Sequence, residues 1–374
     1  MYCARLTGKV LFPGQTQPKR IASTARRQPT ARILRNGATT TDDVAVEAES
    51  LGVTFAPLHE DFGADIQGVD LKGGISKTHG ALVKKALDRF LLLRFRGQDI
   101  SPAEETQLLC CLPHDEEAMK NGELESGFKP TIPGYPHIFL QYANIVDDDY
   151  YGLTLRPKAQ SSLMKTRYRW HCDLPHQEAC PRYSCMNMRV APEHGGNTLF
   201  ASGVKAYELL SDDQKSIADK LRARYYNGKL MFKLLNTPNA EDFPSENGYG
   251  YRNAALVEEM LAASLEEGDS IDGEGRPFVV EEEGSGVRSI FVNTAFLHCF
   301  DGMSPEASQK LLDEFLGPVA SPERVWSADW EAGDVIVWKN WQMTHAAPPW
   351  DAYGNQPRLF HTTFWGDVPT KFVE

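Results

Sequence analysis

The sequence predicts a mostly β fold with flanking helices (α+β), arranged as an antiparallel sandwich or barrel. Three observations carry that expectation. The strand-like runs Tyr183 to Val190, Ser289 to Asn293, Asp334 to Trp338 and Leu359 to Trp365 are short and separated by Gly and Pro turns. Few of them alternate with helices as regular βαβ units, which disfavours a doubly wound parallel sheet. Helix starts are few and marked by capping residues, at Ser101-Pro102-Ala103-Glu104, Ser211-Asp212-Asp213-Gln214 and Ser304-Pro305-Glu306.

In chain order, the first element is a basic segment. The first 41 residues hold eight Lys and Arg and no acid, so the formal net charge of −12 hides −20 on the remainder, 31 basic against 51 acidic residues. We divide the chain into this segment, residues 1–46, and one folded domain, residues 47–374. A composition of 41% hydrophobic and 24% charged residues makes the body globular rather than disordered.

The body opens with two short strands between Leu51 and Leu71, around the turn-rich His59 to Ala64. A helix follows from Ser76 to Phe90, with Leu82, Val83, Ala86 and Leu87 on one face, and then a buried strand over Leu91 to Phe95. The helix from Ser304 buries Leu311, Leu312, Phe315 and Leu316, and Gly317 is expected to end it as a left-handed cap. Two stretches, Pro113 to Arg169 and Asn227 to Arg276, read as long and irregular, the second with a helix at Ala254 to Glu267. Such stretches are commonly lids or insertions, so at least one is expected to cover a site.

The chemistry begins at Trp170-His171-Cys172-Asp173. In extended backbone, residues two apart share a face, so His171 and Asp173 converge while Cys172 points away. An imidazole and a carboxylate are two-thirds of a 2-His-1-carboxylate triad, which leaves open positions on iron. Alone, such a triplet arises readily by chance. The strand at Trp338 leads to His345, and thirteen residues later Arg358 opens Arg358-Leu359-Phe360-His361-Thr362-Thr363-Phe364. A fixed Arg suits a dicarboxylate, because its planar fork binds the group bidentately and keeps its charge when buried.

Together these residues make the sequence resemble the taurine and 2,4-dichlorophenoxyacetate dioxygenase-like oxygenases. The resemblance runs through Gly63-Ala64-Asp65-Ile66, Phe95-Arg96-Gly97-Gln98, Trp170-His171-Cys172-Asp173, Gly195-Gly196-Asn197-Thr198-Leu199-Phe200-Ala201, Phe291-Val292-Asn293, Gly333 to Trp338, His345, Arg358 and Gly366-Asp367. It implies a double-stranded β-helix (jelly-roll) core that binds Fe(II) and the co-substrate 2-oxoglutarate and consumes O2. By that likeness His171, Asp173 and His345 are the metal ligands, while Thr198 and Arg358 contact 2-oxoglutarate. The reaction implied is hydroxylation, desaturation or cyclisation of a small metabolite, with succinate and CO2 released. Asp173 disfavours halogenation, since halogenating relatives lack this carboxylate.

The sequence also departs from the family. Lys339-Asn340-Trp341 stands where Asp-Asn-Arg is common, and Thr362 occupies the place of an Arg in sulfonate-using relatives. Thr362 shares a face with Arg358, so it is a candidate substrate contact, together with Arg167 and His114. The alternative from another class is a catalytically inactive metal-binding β-barrel with a ligand-binding role.

Other clusters carry less. Cys172, His176, Cys180 and Cys185 match no common zinc spacing, and Asp147-Asp148-Asp149 lacks the Gly and Glu of a calcium loop. The acidic body excludes a broad nucleic-acid surface, and no apolar run is long enough to span a membrane, so a small molecule is the expected partner. Assembly as a homo-oligomer stays open. Seven cysteines without a C-x-x-C pair favour reduced thiols in an intracellular setting. Residues 1–46 read equally as a mitochondrial or plastid transit peptide or as a basic arm retained in the cytoplasm.

Overall fold

A computed structural model describes residues 41–113, 130–156, 170–177, 180–226, 275–282, 284–348 and 356–367. All lie within the compact unit Arg32–Glu374. The helix expected at Ala254 to Glu267, Arg167 and His114 fall outside the described residues. Among those described, no helix is long and apolar enough to cross a membrane, and Cys111, Cys172, Cys180, Cys185 and Cys299 are free thiols.

Helix α1 (Thr41–Ser50) packs Val44 and Ala48 into the core beside α2 (Lys77–Phe90), so ordered helix begins ahead of the boundary expected at residue 46. The two expected strands, β1 (Thr54–Pro57) and β2 (Ala64–Gln67), pair antiparallel. Ser76 caps α2 by accepting from the His79 N–H, and Leu82, Val83, Ala86 and Leu87 are its buried face. The helix ends at Leu91, left-handed at φ 65°. That conformation costs about 1–2 kcal/mol, and complete burial of the side chain, about 1.5–3 kcal/mol, offsets it. Strand β3 (Leu92–Phe95) follows, then α3 (Pro102–Leu109) with a full capping box between Ser101 and Glu104.

The stretch expected to be irregular after Pro113 instead contains β4 (Thr131–Ile132), β5 (Tyr135–Ala143), β6 (Asp147–Tyr150) and β7 (Leu153–Leu155). Pro136, His137 and Gln141 blur the alternation of β5, whose strand character comes from pairing with the distant β18 (Arg358–Asp367). Between them run β8 (Pro181–Val190), β9 (Thr198–Ser202), α4 (Gly203–Glu208), α5 (Asp212–Ala218), β10 (Arg222–Tyr225), β11 (Arg276–Pro277), β12 (Val279–Glu281), β13 (Arg288–Ile290), β14 (Leu297–Phe300), α6 (Pro305–Leu316), β15 (Trp326–Ala328), β16 (Val335–Lys339) and β17 (Met343–Ala346). Gly317 does not cap α6 in the left-handed region. It stays right-handed at φ −48° and continues into a 3-10 turn, Gly317–Val319. Without a Cβ to clash with Pro318, it keeps helical angles where most residues before proline leave them. Leu312, Phe315 and Leu316 are buried as expected, and Leu311 is half-buried.

The large sheet has the order β1-β2-β3-β16-β8-β18-β5-β4, and a smaller sheet has the order β15-β9-β17. Single bridges extend the smaller sheet from His345 of β17 to His171 and on to Asn293. Alternation sorts the large sheet's side chains. Cys185, Val335, Val337 and Trp365 face α2 and α3, while Met186, Met188, Ile336, Trp338 and Phe360 face Phe200, Met343 and Ala328 of the smaller sheet.

Candidate metal centre

His171 sits in extended backbone paired with β17. Its N–H donates to the His345 carbonyl at 2.8 Å, and the His345 N–H returns a bond to the His171 carbonyl at 2.9 Å. This closed pair brings the two imidazoles to 4.0 Å between ring centroids. Two residues on, Asp173 Oδ1 lies 3.8 Å from His171 Nε2 and 3.6 Å from His345 Nε2. Cys172 points the other way, into a core with Cys180, Val280, Phe291 and Trp341.

The carboxylate is held from behind. Ser184 Oγ donates to Asp173 Oδ2 at 2.7 Å, which leaves Oδ1 facing the imidazoles. Asn340 fixes the backbone beneath it, its Oδ1 accepting from Asp173 N at 2.7 Å and its Nδ2 donating to the carbonyls of Asp173 and Pro181 at 2.9 and 2.8 Å. Packing, not a hydrogen bond, orients His345: the ring lies edge-on to Trp338 at 5.1 Å and stacks on Phe200 at 5.9 Å. Burial pushes Asp173 up, and His171 and Ser184 offset this only in part. Burial and the neighbouring His171 hold His345 well below its ordinary value, so its nitrogen lone pair is available at neutral pH.

These three side chains fit a shared cation. Their ligand atoms lie within 4.8 Å of one another. Separations of 3.6 and 3.8 Å are too long for hydrogen bonds, yet two metal bonds of about 2.1 Å span up to about 4.2 Å. Two imidazoles and one carboxylate suit ferrous iron with positions left open.

The altered segment beside the site does not disturb it. Lys339 is buried and ion-paired to Asp88 and Glu282, and burial of Glu282 is outweighed by Lys339, Gln342 and Ser285, which bring it below its usual range. Trp341 packs beside Cys172, with the Arg182 guanidinium 5.0 Å from its ring. The zinc alternative is likewise accounted for: Cys172 Sγ donates to the Met343 carbonyl and Cys180 Sγ to the Gln177 carbonyl, and burial pushes both thiols up. Asp147-Asp148-Asp149 opens β6, where Arg156 takes Asp148.

Thr198 and Arg358 are both buried. The Thr198 hydroxyl oxygen accepts from the indole N–H of Trp330 at 3.1 Å. Arg358 opens β18, and burial lowers it to about 10, so it remains cationic at neutral pH. Thr362, four residues along, is buried too, and Gln141 Nε2 lies 3.4 Å from its hydroxyl. Sequence reasoning missed Ser184, Trp330 and Gln141. The one available signal was alternation, which puts Ser184 on the inward face of β8 with Met186.

The model of the taurine catabolism dioxygenase TauD, TfdA family matches residues 54–363. The chain belongs to this family. It is an alpha-ketoglutarate-dependent dioxygenase with a His171, Asp173 and His345 triad for Fe(II), on the family's double-stranded β-helix fold. Among its relatives, the alpha-ketoglutarate-dependent 2,4-dichlorophenoxyacetate dioxygenase of Cupriavidus pinatubonensis is 26% identical over 305 residues, covering 80% of this chain and 94% of that protein. The alpha-ketoglutarate-dependent sulfate ester dioxygenase of Pseudomonas putida is 28% identical over 332 residues, covering 87% and 94%. The solved taurine dioxygenase of Burkholderia xenovorans superposes with a TM-score of 0.56 at 23% identity, covering 85% of this chain and 92% of that one. A metal-binding barrel without turnover is therefore set aside, since the family is catalytic and the departures at Lys339 and Trp341 leave the ligands in place.

Proposed function

We propose that this dioxygenase hydroxylates, desaturates or cyclises a small-molecule metabolite, with Thr198 and Arg358 as its 2-oxoglutarate contacts. The convergence of Asp173 Oδ1 with two imidazole nitrogens carries the reading. Bound Fe(II) and 2-oxoglutarate supply the oxidising power: decarboxylation yields succinate and CO2, and for hydroxylation the second oxygen atom of O2 ends on the substrate.

The chain's own residues position and dry the reactants. Ser184 keeps Asp173 Oδ2 occupied, so that one oxygen faces the metal position. Arg358, buried and cationic, supplies a charge-assisted fork for the distal carboxylate of 2-oxoglutarate. Trp330 fills a lone pair of the Thr198 hydroxyl, which turns the hydroxyl proton toward an acceptor such as that carboxylate. Thr362 and Gln141 are the inward polar groups on β18 and β5 we assign to substrate contact, with neutral hydrogen bonds in place of a charge. Arg167 and His114 remain candidates for the same role from sequence alone.

The test is anaerobic addition of Fe(II) and 2-oxoglutarate. A weak visible charge-transfer band is expected in the wild type and absent in Asp173→Ala, and succinate release across a metabolite panel then identifies the substrate. A wild type with neither band nor succinate release overturns the reading.

A further inference from the structure

The small sheet β11-β10-β14 carries polar groups that the metal centre does not use. Ala223 pairs with Arg276 across β10 and β11, and both Ala223 and Tyr225 are buried without exposure. Alternation therefore puts Arg276 on the same inward face as Tyr225. The acid of this sheet, Asp301, is taken by Arg224 on the opposite, more exposed face. Facing Tyr225 is His176, three residues beyond Asp173, with ring centroids 6.2 Å apart, and Phe296 stands edge-on to His176 at 5.7 Å. Phe296 in turn closes a turn on Asn293, the residue bridged to His171. The cluster thus adjoins the chain segments of two metal ligands.

Two of its polar atoms, on His176 and Arg276, are left open. His176 Nδ1 and Arg276 Nε are buried without a hydrogen-bond partner, and no ion pair of Arg276 occurs among the described residues. Leaving such groups unsatisfied costs about 1–3 kcal/mol each, more for a charged one. Burial and the Arg276 charge hold His176 down to about 4, so the imidazole is neutral at physiological pH and the guanidinium is the local charge. A guanidinium, an imidazole nitrogen and a phenol beside an apolar ring are a fitting set for an anionic oxygen group attached to an apolar body.

We propose that Arg276, His176 and Tyr225 form a subsite for an anionic oxygen group of the substrate, a carboxylate or a sulfate or phosphate ester. The inference rests on the small-molecule oxygenase reading and assigns the anion to elements outside β18, where Thr362 offers no charge.

The test uses the anaerobic Fe(II) and 2-oxoglutarate complex of the full chain, in which the charge-transfer band first reports the metal site independently of the subsite. Inorganic sulfate is then titrated at constant ionic strength against chloride. A saturable shift is expected in the Arg276 Nε–H nuclear magnetic resonance signal, assigned by its loss in Arg276→Met. In the succinate assay, acids are expected to stimulate turnover over their methyl esters. Arg276→Met should raise KM for the acid about ten-fold or more, with the 2-oxoglutarate band intact. His176→Asn, which keeps a polar group near Nδ1, should rescue what His176→Phe loses. A signal that ignores sulfate, a KM unmoved in Arg276→Met, or esters that match acids would each overturn the subsite while the band still stands. Absence of both the band and succinate release in the wild type would overturn the oxygenase reading itself.

Discussion

Asp173 and Glu105 are both buried carboxylates, one at each face of the large sheet, and their surroundings differ in kind. Glu105, on α3, is saturated: His361 Nδ1 and Asn187 Nδ2 reach its Oε2 at 2.8 and 2.9 Å, and Thr363 Oγ1 donates to its Oε1 at 2.9 Å. His361 is completed by the Tyr150 hydroxyl at 2.8 Å. Burial pushes Glu105 up, but His361, Asn187 and Thr363 more than offset it, and its value falls below the usual range. Asp173 has one oxygen bound by Ser184 and the other aimed at two imidazoles beyond hydrogen-bond reach, and burial leaves its value raised. A closed network clamps α3 to the sheet. An open one keeps an oxygen facing two imidazoles, where a cation can be shared.

If that contrast holds, the two carboxylates fail differently. Asp173→Ala should abolish Fe(II) binding, read by calorimetry under anaerobic conditions, while the melting temperature of the metal-free protein holds or rises because an ill-solvated charge is gone. Retained binding would break the contrast outright.

Glu105→Ala should lower unfolding free energy by about 3–5 kcal/mol in urea titrations, since three polar partners lose their acceptor inside the protein. Its pH dependence has a definite sign. A carboxylate whose folded value is depressed contributes its full stability above the unfolded value of about 4.3, and loses it as pH falls through the folded value. The gap between wild type and Glu105→Gln should therefore be widest near neutrality and close in acid.

Smaller effects sharpen the picture. Ser184→Ala frees Asp173 Oδ2 and should weaken metal affinity about 10–100-fold with little change in 2-oxoglutarate affinity once metal is saturating. Trp330→Phe removes one hydrogen bond, worth about 1 kcal/mol, and should weaken 2-oxoglutarate binding about five-fold without altering metal affinity. If Trp330→Phe moved the metal instead, Thr198 would have been assigned the wrong neighbour.

The triad was legible because strand alternation places His171 and Asp173 on one face whatever the tertiary fold, and His345 and Arg358 follow in an order that resembles the family. The supports were not. Glu105 meets His361 across 256 positions, and nothing near either residue announces the other. The same holds for β5, whose strand character depends on β18, and for Trp330, which looks like any aromatic until its indole reaches Thr198. Gly317 shows the opposite failure: a local rule read correctly did not apply, because the chain runs on from α6 into the 3-10 turn Gly317–Val319 with Gly317 still right-handed.

Asn340 has a consequence for engineering. Its side chain addresses only main-chain atoms, two on Asp173 and one on Pro181, so it recognises the course of the backbone and not the identity of any neighbour. The flanking residues have other loyalties, Lys339 to Asp88 and Glu282, Trp341 to Cys172 and Arg182. A library that randomises positions 339 and 341 along with those partners should therefore yield many iron-binding clones, whereas position 340 should return Asn almost every time.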